Sequence, residues 1–183
     1  MQKIVAFFVR ISNWKTFVLF LILYIIFPAY ILKNAEIKMN ELAGKEIGVI
    51  DLTMGFNPQK TLDMVAGYGE EGRAYVAKVE TTTDIVYPVI YAFLFAIILT
   101  LIYRDKAWAR VSVIPFITMF FDFLENICIV TLLNSYPEQS STWATFCEIF
   151  KLLKWVTFGV IILLIVYGLI SKLIKKDKPV SIN

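Results

Sequence analysis

The chain has 183 residues, 58% of them hydrophobic, with 18% charged and a net charge of +3. A soluble domain is usually less than half apolar, so this surplus calls for an apolar solvent. There is no histidine, which removes the commonest zinc or haem ligand and the commonest general base, and two cysteines are too few for a disulfide scaffold.

The apolar residues come in blocks. About 20 of them in a helix cross a bilayer core of about 30 Å. Residues 1–15 precede the first block and alternate Ile4, Phe7, Phe8, Ile11 and Trp14 with Lys3, Arg10, Asn13 and Lys15. That is the spacing of an amphipathic surface helix, although a helix end with snorkelling cations fits equally well. The first span covers 16–33, too long for a signal-peptide core and followed by no A-x-A site.

Residues 34–83 form a polar segment between the first two spans. Asn57-Pro58 reads as a helix start, with a capping side chain and proline at the first position, and Gly67 and Gly69 end that helix. A second helix is expected over roughly 70–80, and 47–56 reads as extended without a certain strand. Gly67 to Gly72 spells G-x-G-x-x-G. It follows a helix rather than a strand, and two glutamates within it would repel a pyrophosphate, so it reads as a glycine hinge. Arg73, with Glu70 and Asp84, is a candidate carboxylate clamp in this segment.

The second span covers 84–104, a short loop 105–108, and the third span 109–133. A loop at 134–144 leads to a fourth span at 145–171 and a basic tail at 172–183. The charge-free part of the fourth span begins only at Trp155; a start near Ala144 would draw Glu148, Lys151 and Lys154 inside. Pro28, Pro88 and Pro115 fall within spans, and Pro115 is expected to bend the third helix below its acids.

Basic residues set the direction. Lys3, Arg10, Lys15, Arg104, Lys106, Arg110, Lys172, Lys175, Lys176 and Lys178 would share one side with only Asp105 and Asp177, while 34–84 is net acidic and 134–144 has no Lys or Arg. Trp14 and Trp108 would mark that side and Trp143 the other, joined by Trp155 if the fourth span is short. The expected fold is therefore an all-α integral membrane protein of four transmembrane helices, with a small, mainly helical outer insertion. Both termini would be cytoplasmic in a cell or inner membrane. Its surroundings would be lipid, with a homo-oligomer or larger membrane complex as the further partner, and nothing points to nucleic acid.

The third span carries the chemistry. Asp122, Glu125 and Asn126 lie at i, i+3 and i+4 on one face, and Thr118 extends that face by a turn. An acid at mid-bilayer costs several kcal/mol and turns toward the bundle interior or a wet cavity. Two acids at this spacing repel, so a proton or a cation is expected between them. Lys151 and Lys154 are the nearest candidate cations, with Glu148 completing a ladder of three-residue steps.

Three readings compete: interhelical glue that fixes register, a site for an ion, proton or small ligand, and an acid/base catalyst on a lipid-like substrate. The expected function is a non-enzymatic bundle enclosing a polar small-ligand or ion/proton site, with a structural or accessory assembly protein as the alternative. No cofactor is implied. A hard cation could use carboxylates and Asn, but the usual multi-carboxylate motifs are absent, so no metal is expected. Cys128 and Cys147 read as lone buried thiols, with a disulfide between the two helices as the less favoured pairing.

Overall fold

The computed structural model describes residues 2–104 and 107–176. Asp105, Lys106, Asp177 and Lys178, used above for orientation, lie outside the described residues, as do the side chains of Trp108, Lys175 and Lys176. The described residues are helical and contain no strand, and four helices are long and apolar enough to cross a membrane: Trp14–Ala43, Gly69–Tyr103, Arg110–Asn134 and Ser141–Ile174.

The N-terminal amphipathic stretch is a helix of its own, α1 (Gln2–Ile11). It stops because Asn13 takes an extended conformation and caps α2 (Trp14–Ile26). The Asn13 side chain accepts from the Lys15 and Thr16 amides at 2.9 and 3.2 Å, and the Thr16 hydroxyl accepts from the Asn13 amide at 3.1 Å. This reciprocal capping satisfies donors a helix start leaves free. Phe8 is buried between Phe93 and Phe116, and Arg104 donates to the Val9 and Ser12 carbonyls where α1 ends. These contacts favour a discrete helix over a simple extension of the first span.

α2 does not end at its proline. Residues Phe27–Leu32 widen into π turns, and α3 (Lys33–Ala43) follows directly. Pro28 has no N–H to give its helix, and the wider turn pairs its carbonyl with the Lys33 amide instead. Pairs Lys33–Glu36 (2.9 Å) and Lys38–Glu41 (3.2 Å) support α3 before Gly44, at φ +67, stops it.

The segment 44–57 is irregular around one 3₁₀ turn at Ile50–Leu52. Asn57 then caps α4 (Pro58–Gly67), its side chain accepting from the Lys60 amide at 3.0 Å. Gly69 at φ +69 turns the chain into α5 (Gly69–Thr81), which runs through a distortion at Thr82 into α6 (Thr83–Tyr103). No strand precedes the glycines, consistent with a hinge. We call the part from α3 to α5 the cap.

A 3₁₀ stretch, Ala107–Val113, leads to α7 (Ile114–Asn134). Pro115 sits in the first turn of α7, so it opens that helix and does not bend it below the acids as expected. α8 (Ser141–Lys176) is one helix of 36 residues, about 54 Å long. The helix begins at Ser141, well before Trp155, and Glu148, Lys151 and Lys154 all lie on it.

α7 and α8 form the central pair; α6 packs on both, α2 lies along α6, and α5 and α4 rest on α7 and α8. The cap has no separate core. Met39, Ile50, Leu62, Val65, Tyr68 and Val76 join Ile129, Leu132, Leu133 and Cys147 in one cluster. At the opposite end α8 approaches α6 closely: a Cβ on Gly168 would fall 2.3 Å from Ile102 Cγ2, and the Tyr103 hydroxyl donates to the Leu164 carbonyl at 2.7 Å.

That close approach predicts a position-specific effect. Gly168→Ala is expected to lower detergent stability by about 1–3 kcal/mol through overpacking. Gly159→Ala, where the added Cβ meets nothing within 4 Å, should leave the melting temperature unchanged or raise it.

Candidate functional site

The α7 face places Thr118, Asp122, Glu125 and Asn126 in the interior, and α8 presents Glu148, Lys151 and Lys154 to it; all seven are buried. They divide into two groups with different degrees of satisfaction.

The first group lies nearer the cap. Lys151 pairs closely with Glu148 and donates to the Thr53 hydroxyl at 2.5 Å. Glu148 also accepts from the Asn57 amide at 2.9 Å and the Thr61 hydroxyl at 2.7 Å. Both carboxylate oxygens are used, and the charge sits at the N-terminus of α4, where the helix dipole favours it. This group is a clasp that ties the cap to α8.

The second group surrounds Lys154. Its ammonium lies 2.6 Å from Glu125 Oε2, 3.6 Å from Asp122 Oδ1 and 3.9 Å from Asp51 Oδ2. Asp122 also accepts from the Tyr91 hydroxyl at 2.8 Å, Thr118 bonds Thr157 at 2.9 Å, and the Asn126 amide donates to Asp84 at 2.9 Å. Lys154 and Glu125 form a close charge pair, and Glu125 Oε1, Glu80 Oε2 and the Asn126 side-chain oxygen are buried without a hydrogen-bond partner among the described residues.

A cavity of about 400 Å³ opens beside this group. Asp51, Glu80, Asp84, Asp122 and Lys154 line its polar wall; Tyr24, Met39, Tyr87, Trp155 and Phe158 line the apolar one. Lys33 and Glu36, also on the lining, neutralise each other at 2.9 Å. Four lining carboxylates, with Glu125 behind them, therefore share the Lys154 charge, and among the described residues Glu80 and Asp84 have no ion-pair partner. Buried charge on this scale is costly unless compensated.

Tyr68 braces the cap above the cavity. Its fully buried hydroxyl donates to the Gly48 carbonyl at 2.9 Å. Burial, together with the charges of Glu80 and Asp51, pushes that hydroxyl well above the usual tyrosine range, so it remains a donor.

The proposed clamp is not assembled. Arg73 lies 3.8 Å over the Tyr136 ring, Glu70 is exposed, and Asp84 faces the cavity and Asn126. A guanidinium over an aromatic face is a favourable contact in its own right. Cys128 and Cys147 are free, buried thiols in the shared cap cluster, so the less favoured disulfide is not formed. No set of three His, Cys, Asp or Glu side chains converges as metal ligands among the described residues.

Sequence reasoning missed Asp51, Glu80 and Tyr91 and gave Asp84 another role. Three of these were detectable: Glu80, Asp84, Tyr87 and Tyr91 fall at i, i+4, i+7 and i+11, a polar and aromatic stripe on one face of α5 and α6. Asp51 carried no such signal, because an irregular turn delivers it. Comparison of the chain with protein-family models, curated proteins and solved structures finds no match.

The clasp predicts a non-additive mutant cycle. Glu148→Gln and Lys151→Met should each cost about 3–5 kcal/mol by stranding the other charge. The double variant should lose less than the sum, read as thermal unfolding in detergent. Additive losses would show that the two charges do not depend on each other.

Proposed function

We propose that this is a multi-pass protein of a cell or inner membrane, non-enzymatic, whose bundle encloses a polar site for a small ligand or ion. The observation that carries the reading is the acid-lined cavity around Lys154. Stability alone gives no reason to gather Asp51, Glu80, Asp84, Asp122 and Glu125 about one ammonium. A site that must hold positive charge does.

Four long apolar helices support the membrane setting, and the basic residues at the end opposite the cap support cytoplasmic termini. In this orientation the cap is extracytoplasmic. Lys154 lies 13 residues beyond Ser141, about 20 Å along α8, so the site would sit within the apolar layer. Four spans are few for a complete transporter, which favours a homo-oligomer or a place in a larger membrane complex.

Structural glue remains the better description of the clasp, because both Glu148 oxygens and the Lys151 ammonium have close protein partners. It describes the Lys154 group poorly, since glue leaves no buried acceptor unpaired. A catalytic reading would need an activated nucleophile, and the cavity wall offers carboxylates, tyrosines, the Thr118 hydroxyl bonded to Thr157, and two amines, Lys33 and Lys154, each held by acids.

Replacing Asp122 with Asn and Glu125 with Gln, separately, tests the site. The expected result is a protein that stays folded in detergent, the remaining carboxylates still holding Lys154, but no longer complements deletion of its gene. Complementation and stability both unchanged would remove the site from consideration, while loss of stability would return it to structural glue. Reporter fusions at residue 57 and at the C-terminus check the orientation, with only the first expected outside the cytosol.

A further inference from the structure

Resting on the binding-site reading, we propose that the cavity takes an organic ammonium group carried on an apolar body, admitted from the bilayer between α2 and α8. Charge selects the head. Lys154 is already held by Glu125, which leaves Glu80 and Asp84 facing the cavity without a cation among the described residues. Glu80 is only 7% exposed and its Oε2 has no hydrogen-bond partner among them. An ammonium supplies both the charge and the N–H donors this oxygen lacks. A carboxylate or phosphate head would add to the repulsion.

Size and geometry favour an organic cation over a bare ion. A volume of about 400 Å³ suits a small molecule, whose sites run to about 300–1,000 Å³. The acids are spread along the wall, and no three converge as metal ligands among the described residues. Aromatic rings stand beside them: Tyr24 stacks on Tyr87 at 5.7 Å, and Tyr87 meets Tyr91 edge-on at 5.7 Å. Such faces attract alkylammonium groups and also accept an apolar chain.

The packing supplies a route. α2 lies along α6, whereas α8 packs on α7, α6 and α4, with no extensive contact between α2 and α8. Tyr24, Pro28 and Leu32 form one jamb of this gap; Trp155 and Phe158 form the other. Trp155 is 42% exposed there. A chain entering sideways keeps its tail among apolar groups while its head reaches the acids.

The test uses the purified full chain in maltoside micelles, titrated with dodecylamine and followed by melting temperature and tryptophan fluorescence. Dodecanol, dodecanoate and ethylamine separate the contributions of charge, sign and tail. A saturable upward shift with dodecylamine is expected, at least tenfold weaker for each of the three analogues. Glu80→Gln and Asp84→Asn should weaken it at least tenfold while leaving the fold intact by circular dichroism. Short-chain phosphatidylethanolamine is then added as a competitor: displacement assigns the head to a lipid, and no displacement assigns it to a free lipophilic amine. Dodecanol binding as well as dodecylamine would overturn the proposal, and that comparison stands even if a variant misfolds. Failure of every amine alongside an Asp122-dependent response to potassium, magnesium or protons would also overturn it, yet leave the binding-site reading standing. No response to any of these probes from folded protein would sink both.

Discussion

An ammonium ion surrounded by carboxylates in an apolar interior is the constraint around which this molecule is arranged. Lys154 sits buried within a long apolar helix, where an unpaired ammonium is costly. Glu125 and Asp122 on α7 meet it directly, which fixes the register of α7 against α8, the central packing pair of the bundle. Asp51 reaches the same ammonium from the cap, so the cap and the bundle share one electrostatic centre as well as one apolar cluster.

The two polar groups on α8 show what separates a fastening from a site. One helical turn apart, Lys151 and Lys154 face similar chemistry. Around Lys151 every partner is present: a carboxylate, two hydroxyls and a backbone amide close the network and hold α4 in place. Around Lys154 the anions outnumber the cation, buried oxygens have no hydrogen-bond partner among the described residues, and a cavity adjoins them. The clasp positions the cap, and the cap in turn supplies Asp51 and Glu80 to the cavity wall. Rigidity in the first group therefore sets the geometry of the second.

The first helix contributes by what it leaves unpacked. Pro28 is met by wide turns at 27–32, and the chain continues directly as α3, the first helix of the cap. α2 packs mainly on α6 and the π segment, and the aromatic-lined cavity lies between it and the fourth helix. The proline, the gap and the lateral face of the cavity are thus aspects of one local feature.

Much of this was legible in the sequence where a single helix carries the information. Uncharged runs identify the long helices because bare charge is expensive in oil; Asn57-Pro58 and Gly69 mark their turns by backbone chemistry alone; the i, i+3, i+4 spacing of Asp122, Glu125 and Asn126 places them on one face. Periodicity could not say which acids from different elements would meet. Asp51 arrives on an irregular turn, Glu80 belongs to a cap helix, and Arg73 prefers a ring to the carboxylates beside it in sequence. The start of α8 was likewise undecidable from hydropathy, because the charges of Glu148, Lys151 and Lys154 in its first half are compensated by one another and by partners on α7 and the cap. Local patterns are written along one chain direction, whereas a cavity is the space left between helices, and only their packing determines its walls.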